Sequence, residues 1–353
     1  MRVAFFPDTY RQGNPYLELL AGGLKAAGVE VIPLNLVSPY NNWLLKNRSK
    51  VDVLHFHWIS PMYVRPTLSS SSYAFIRFAS RVILARLLGF RIVWTMHNLY
   101  PHENEYSFLN KLARYLMIWA AQSIIVHCQQ AHKDLVRVFH RHRAIYIIPL
   151  GKYPRLSSHI VNPEETKRKL GIPKEHLLFF SFGQIRPYKG LDNLIDSFKK
   201  LSNKDISLLI SGNTRFHGFA QELKLRAKQE PRIHLEIRWI MDEELHEFLL
   251  SSDIVVLPFR EITTSSTAML AFSYSKPVIA PRLGCLPELI DNQTGFLYDP
   301  KNPKGFFSAL QESLQKRAEL KLMGEKAGHK ADDYSWDRIG TMTAKIYRGE
   351  PID

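Results

Sequence analysis

Short apolar runs rich in β-branched residues alternate along the chain with longer segments whose apolar positions recur every three to four residues. That alternation is the pattern of βαβ units wound around parallel sheets. In the first half the predicted strands are Arg2–Phe6, Glu30–Leu36, Val53–His57, Arg91–Met96, Ser123–His127 and Ala144–Ile148. Between the first two, Asn14 as N-cap and Pro15 at the first helical position start a helix that Gly28 ends. The stretch from Lys152 to Glu165 is polar and aperiodic and reads as a linker. Beyond it the alternation resumes, with strands at Leu177–Phe182, Ser207–Ser211, Ile233–Ile237, Ile254–Leu257 and Lys276–Ala280. Asp242 is placed to cap a helix over Glu243–Leu250, and Asp192 stands near the start of another. The expectation is α/β, with two doubly wound Rossmann-like domains that divide near Gly151. Ligands of such folds bind outside the carboxyl ends of the strands, here in a cleft between the domains.

Composition agrees with this and excludes much else. A chain of 353 residues suits two domains at roughly 100–200 residues each. With 45% hydrophobic and 23% charged residues it is neither disordered nor fibrous. The apolar run Val3–Phe6 is too short for a signal peptide, and Tyr73–Met96 is interrupted by Arg77, Arg81, Arg86 and Arg91, so no spanning helix is expected. Cys128 and Cys285 are isolated, with no Cys-x-x-Cys pairing, and the histidines form no His-Glu-x-x-His pattern, so no metal is expected. The net charge of +14 is uneven: residues 1–150 hold 17 Lys and Arg against 7 Asp and Glu, a net of +10, which leaves +4 for the rest. Such a field attracts phosphates, whether of nucleic acid, anionic lipid or a diphosphate substrate. A nucleic-acid-binding protein is a remote alternative, because no helix-turn-helix, zinc-finger or RNP signature accompanies the charge.

Two loops carry candidate chemistry. Gly183-Gln184-Ile185-Arg186-Pro187-Tyr188-Lys189-Gly190 follows an apolar strand and precedes a helix. Glycines let the backbone approach an anion, a helix N-terminus offers N–H groups, and Arg186 with Lys189 supplies two cations for a diphosphate. Phe259-Arg260-Glu261-Ile262-Thr263-Thr264-Ser265-Ser266-Thr267 leads into a helix over Ala268–Tyr274. There Ser265, Ser266 and Thr267 gather hydroxyls at a second helix N-terminus, more than a cap requires.

Taken with Ser211-Gly212-Asn213, Asp242-Glu243-Glu244-Leu245, Ser252 to Pro258, Lys276-Pro277-Val278-Ile279-Ala280 and Gly284-x-x-Pro287-Glu288, the ordered set resembles the GT-B nucleotide-sugar glycosyltransferases. The resemblance is closest to the bacterial family 4 type of polysaccharide and lipid-linked oligosaccharide synthesis. First-half elements agree: Gly13-Asn14-Pro15-Tyr16, His55-Phe56-His57-Trp58, His97-Asn98 and Ile148-Pro149-Leu150-Gly151.

The resemblance implies an acceptor-binding domain of residues 1–150 joined by 337–353, through a final helix near Trp336–Tyr347 that crosses back, and a donor-binding domain of residues 151–336. It implies transfer of one sugar from a nucleotide-diphosphate-sugar to a saccharide acceptor, itself polyprenyl-diphosphate-linked in many members, without metal or other cofactor. A nucleotide-sugar epimerase or sugar phosphorylase on the same scaffold is the alternative. Gly183, Arg186, Lys189, Ser265, Ser266 and Thr267 then take the donor diphosphate. Trp239 and Ile240 line the base region, and Gly13, Asn14 and His57 belong to the acceptor side. The family's Glu-x7-Glu pair falls at Ile262 and Leu270, a departure that leaves Glu261 as the donor-contacting carboxylate. His97 matches a cleft histidine, and Glu103 adds a carboxylate that can serve as base.

Two helical stripes remain. Phe108, Leu112, Tyr115 and Trp119 beside Lys111 and Arg114 are expected to face the core, while the arginine-interrupted segment suits an anionic membrane surface. A cytoplasmic enzyme, peripheral on the inner face of the cell membrane, is expected.

Overall fold

The computed structural model describes residues 1–6, 15–32, 41–101 and 106–352. They form two compact units, Met1–Leu150 with Tyr334–Asp353, and Gly151–Asp333. The first contains β1 (Arg2–Phe6), α1 (Tyr16–Ala26), β2 (Glu30–Val31), α2 (Asn41–Asn47), β3 (Val53–Phe56), α3 (Leu68–Leu87), β4 (Arg91–Thr95), α4 (Ser107–Ala120), β5 (Ser123–Val126), α5 (Gln129–Phe139) and β6 (Ile145–Ile147). The second contains α6 (Pro163–Lys169), β7 (Leu177–Phe182), α7 (Leu191–Lys199), β8 (Ile206–Ser211), α8 (His217–Ala227), β9 (Ile233–Glu236), α9 (Asp242–Ser251), β10 (Ile254–Val256), α10 (Ser266–Ser273), β11 (Val278–Pro281), α11 (Leu286–Leu289), β12 (Gly295–Tyr298), α12 (Gly305–Gln315) and α13 (Leu320–Asp332). The last helix, α14 (Trp336–Arg348), returns to the first unit.

Each unit holds one parallel sheet, in the order β2-β1-β3-β4-β5-β6 and β12-β11-β10-β7-β8-β9. Helices cover both faces of such sheets, so the strands are continuous apolar runs. Every residue of β3, β7 and β8 is buried. The first core gathers Val3, Phe5, Leu17, Leu20 and Val93 with Ile339 and Tyr347 of α14. The second joins Phe179, Leu194, Phe198, Leu208 and Val256.

The seat of α14 is made by glycines. A Cβ on Gly23 of α1 would come within 2.0 Å of the Trp336 carbonyl oxygen, and one on Gly340 within 2.1 Å of Gly23, so the two helices cross backbone on backbone. Tyr347 Oη lies 2.6 Å from His55 Nδ1, and His55 Nε2 lies 2.7 Å from Thr95 Oγ1. The Arg91 guanidinium donates to the Tyr347 carbonyl. The helix is therefore bound to the sheet by polar as well as apolar contacts.

Several expectations change. Residues 33–36 of the second predicted strand and Asn14 lie outside the described residues. Strand β12 was not predicted, since four residues behind an Asp-Asn-Gln-Thr turn give too short a run to register. Asp242 lies inside α9, whose start is closed instead by the Met241 N–H donating to the Glu244 carboxylate at 3.2 Å.

The stripe of Phe108, Leu112, Tyr115 and Trp119 is exposed, and α4 buries Leu109, Asn110, Ala113, Arg114, Met117 and Ala120. Small alanines let that face approach closely, and its polar groups are matched. Tyr63 Oη donates to Asn110 Oδ1 at 2.6 Å, while Arg114 donates to Tyr63 Oη at 2.8 Å and to the Leu99 carbonyl at 2.9 Å. Of the four arginines of the Tyr73–Met96 region, Arg81 is buried over the Phe6 ring and Arg91 is half-buried, so only Arg77 and Arg86 are exposed.

A glycine pair tests the α1–α14 crossing. Gly340→Val forces the backbones apart and is expected to cost about 1–3 kcal/mol or more in a thermal melt. Gly22→Ala, with nothing within 4 Å of the new Cβ, should gain up to about 1 kcal/mol from helix propensity.

Candidate functional site

In the second unit the chain runs from β7 outward through β8 to β9, then returns to the other side of β7 for β10, β11 and β12. The loops after β7 and β10 thus leave the carboxyl ends of adjacent strands at the point of reversal. That is where ligands bind in doubly wound sheets, because the two loops diverge there.

The loop after β7 is shaped by Gly183 and Gly190, with φ of +93° and +67°. A Cβ on Gly183 would stand 2.8 Å from Lys189 Nζ and displace the ammonium, and the positive φ itself favours glycine there. Lys189 is buried and donates to the Phe182 carbonyl at 3.0 Å. Burial, reinforced by the charge of Arg186, lowers its pKa to about 8. A cation held this way is stabilised by an arriving anion. Arg186 is half-buried and donates to Gln184 Oε1 at 2.6 Å.

The loop after β10 is locked onto the first. A Cβ on Gly190 would come within 2.2 Å of the Pro258 carbonyl oxygen, and the Arg260 N–H donates to the Tyr188 carbonyl at 2.8 Å. The Arg260 guanidinium donates to the Pro187 carbonyl at 3.0 Å and to Asp192 Oδ2 at 2.5 Å. Ser265 caps α10 by accepting the Ala268 N–H at 3.1 Å, so its hydroxyl has a structural role. Ser266 is exposed and Thr267 half-buried in the first turn, where backbone N–H groups lack helical acceptors. Gly284 admits the Thr263 carbonyl, which a Cβ would meet at 2.3 Å.

Glu261 is exposed on this loop, and Ile262 and Leu270 are half-buried. Trp239 is exposed and Ile240 half-buried beyond the carboxyl end of β9, two strands from β7. Arg238 beside them is fixed by Glu236 at 2.8 Å and Glu244 at 2.6 Å. The structure therefore brings Gly183, Arg186, Lys189, Glu261, Ser265, Ser266 and Thr267 into two abutting loops.

In the first unit His57, His97 and His127 follow the carboxyl ends of the adjacent strands β3, β4 and β5. His57 Nδ1 lies 3.3 Å from His97 Nε2, His97 Nδ1 lies 3.0 Å from His127 Nε2, and His127 Nδ1 lies 2.8 Å from the Ile148 carbonyl oxygen. Both ring nitrogens of His97 thus face other histidines, unlike the open base expected from the sequence. Gly13, Asn14 and Glu103 lie outside the described residues. Sequence reasoning missed His127 and named Arg260, Gly212 and Gly284 only as members of motifs, without the contacts they make. For His127 the signal was present, a histidine closing each of three consecutive strands.

All three histidines and His55 are buried. Burial lowers the pKa of His55 to about 3 and of His127 to about 4, and holds that of His57 well below its ordinary value, with neighbouring histidines adding to the effect. Among the described residues no cluster of three or more His, Cys, Asp or Glu is arranged to hold a metal ion.

The family model of the Glycosyl transferases group 1 matches residues 162–330. A GDP-mannose:glycolipid 4-beta-D-mannosyltransferase of Xanthomonas campestris pv. campestris is 24% identical over 311 residues, 85% of this chain and 80% of its own length. A D-inositol 3-phosphate glycosyltransferase of Corynebacterium glutamicum (strain R) is 24% identical over 94% of this chain and 81% of its own. Among solved structures, Anabaena Alr3699/HepE in complex with UDP and glucose superposes with a TM-score of 0.76 at 15% identity, covering 99% of this chain and 100% of that one. Both relatives are named as transferases.

The buried histidines make the first unit sensitive to acid. Their folded pKa values lie below the unfolded value near 6.5, so the unfolded state binds more protons as pH falls through 6.5. Stability should be full above about pH 6.5 and decline towards pH 4, by up to about 1.4 kcal/mol per pH unit for each histidine. Urea melts from pH 7.5 to 4.5 should show the loss, and His55→Asn together with His127→Asn should flatten the slope.

Proposed function

We propose, from the match of residues 162–330 to the group 1 glycosyl transferases and from the GT-B fold, that residues 151–333 hold a nucleotide-diphosphate-sugar while the first unit receives a saccharide acceptor carried on a lipid. The observation that carries the donor site is Lys189, a buried ammonium behind Gly183 and beside Arg186 at the reversal of the sheet. Glycosyl transfer passes through an oxocarbenium-like state as the nucleoside diphosphate leaves with growing negative charge. Lys189, Arg186 and the N-terminal turn of α10 at Ser266 and Thr267 face that charge. Glu261, on the same loop, contacts the donor from the other side, and Trp239 with Ile240 borders the base.

Support for the lipid-linked acceptor comes from the named glycolipid mannosyltransferase and from the surface of the first unit. Helices α3 and α4 pack side by side and expose Leu68, Tyr73, Ile76, Ile83 and Leu87 on one, Phe108, Leu112, Tyr115 and Trp119 on the other. Neither helix contains an aspartate or glutamate, and Arg77, Arg86 and Lys111 are exposed among these residues. Aromatic side chains with cations and no carboxylates suit the interface of an anionic bilayer. Among the described residues no helix is long and apolar enough to cross a membrane. Our reading is of a peripheral enzyme on the inner face of the cell membrane.

A thermal-shift panel of UDP-, GDP-, ADP- and TDP-sugars tests the donor site, since a specific ligand raises the melting temperature by mass action. One nucleotide class should stabilise the protein. Lys189→Ala or Arg186→Ala should abolish that shift and lower transfer by on the order of 10²-fold. Affinity in the wild type should weaken as pH rises past about 8, where the lysine loses its proton. No shift with any of the four, or unchanged turnover in both variants, removes the assignment.

Co-sedimentation tests the membrane surface. Vesicles with anionic lipid should retain the protein at low salt, at about 1 kcal/mol per exposed cation, and release it at high salt. Tyr115→Glu with Trp119→Glu should prevent retention, and equal recovery from neutral vesicles contradicts the proposal.

A further inference from the structure

The chain passes between the two units twice, at residues 150 to 151 and at residues 333 to 334. The first passage opens onto residues 151–162, which form neither helix nor strand. Such a segment has no ladder to take its buried N–H groups, so side chains must accept them. The Tyr153 N–H donates to Ser273 Oγ at 3.1 Å, and the Leu156 N–H donates to Tyr274 Oη at 2.8 Å. Ser273 and Tyr274 close α10, the helix whose first turn is proposed to meet the donor diphosphate. His246 of α9 extends the fastening: its Nδ1 lies 2.8 Å from Tyr274 Oη and its Nε2 3.3 Å from the His159 carbonyl oxygen.

The second passage is held at the same end of α10. Ser275, just beyond that end, has a φ of +54°, and α13 comes against it at two glycines. A Cβ on Gly324 would stand 2.2 Å from the Ser275 carbonyl oxygen, and one on Gly328 2.4 Å from Ser275 Oγ. Asp332, the last residue of α13, pairs with Lys152 at the start of the first passage. That pair is partly exposed and contributes little to stability, but it marks how closely the two passages run. Both passages thus rest on one end of an eight-residue helix, about 12 Å long. At its other end is the turn from Ser265 to Thr267, where the Tyr153 hydroxyl lies beside Ser266. Helix stability does not account for Ser273. It is buried and donates to the Met269 carbonyl at 2.9 Å, a back-bond that weakens a helix slightly, at a position where alanine is the better helix former.

We propose that Ser273 and Tyr274 are positioning residues that set the course of the first passage along α10, so that the sugar held at the donor turn meets the acceptor carried by the other unit. The inference rests on the proposed glycosyl transfer and names two residues, remote from both substrates, on which its rate depends. Neither hydroxyl touches a substrate. Because both stand at the far end of α10 from the diphosphate, their loss leaves donor binding intact and slows transfer. The expected effect is large, since a misplacement of about 1 Å between reacting groups can cost on the order of 10²-fold in rate.

Ser273→Ala and Tyr274→Phe remove the two hydroxyls and keep the apolar bodies of the side chains. In the full chain, the double variant should lower kcat at saturating donor by about tenfold or more, with the thermal shift given by the donor nucleotide-sugar unchanged. Ser273→Thr keeps a hydroxyl and should retain most of the wild-type kcat. Limited trypsin digestion read by mass spectrometry reports the fastening without any activity. Cleavage after the exposed Arg155 should be about tenfold faster in the double variant than in the wild type, while cleavage after Lys301, exposed on a turn elsewhere in the second unit, keeps its rate. Wild-type kcat in the double variant refutes the positioning role, as does unchanged cleavage after Arg155 or a donor shift lost in step with kcat. If the double variant does not fold, the two single variants decide by the same readings. A wild-type protein that binds and transfers no nucleotide-sugar overturns the underlying transfer reading instead, and that failure is told apart because the trypsin contrast between wild type and variant persists.

Discussion

Both sheets are parallel and covered on both faces, and the placement of every functional group follows from that constraint. A strand buried on each side must be apolar throughout, so β7 reads Leu-Leu-Phe-Phe-Ser-Phe and β3 admits His55 only where Tyr347 and Thr95 occupy both ring nitrogens. Polar chemistry is confined to strand ends, where helices begin and the chain is free to turn. In the second unit the reversal between β7 and β10 opens one such end, and two loops converge on it. In the first unit three neighbouring ends each place a histidine in a common layer.

At both places the same device handles a costly burial. An ammonium or an imidazole removed from water must find a partner, and in each case the anchor is a main-chain carbonyl at or near a strand end: Phe182 for Lys189, Ile148 for His127. The consequences differ with the chemistry of the group. Lys189 keeps its proton less firmly than usual and stands to gain from an anion. Burial instead pushes the pKa values of His55, His57 and His127 below the ordinary histidine range, which favours their neutral rings.

Glycines fix the backbone distances that make these arrangements possible. Gly183 leaves the space filled by Lys189 Nζ, Gly190 brings the first loop against Pro258, and Gly212 lies against the Gly183 carbonyl. Gly23 and Gly340 perform the same task for α14, which the contact with His55 then secures. None of these contacts involves a side chain on the glycine, so each is set by what a Cβ would exclude.

The sequence by itself determined the elements that depend on local pattern. Apolar runs of four to seven residues between turn residues placed eleven of the strands, and the glycine and hydroxyl loops were legible because cations and small residues cluster where a strand gives way to a helix. It also carried the family resemblance that the comparisons bear out. Tertiary structure decided what depends on partners distant in the chain. Periodicity could not say which of two apolar faces α4 buries; the choice fell to Ala113 and Ala120, with Asn110 and Arg114 matched by Tyr63 from another element. Nor could it show that Arg260 ties the two loops, that Ser265 is spent as a cap, or that His97 has histidines on both sides. A hydrogen-bond network is a property of spatial neighbours, and residues 57, 97, 127 and 148 become neighbours only when parallel pairing aligns the ends of their strands.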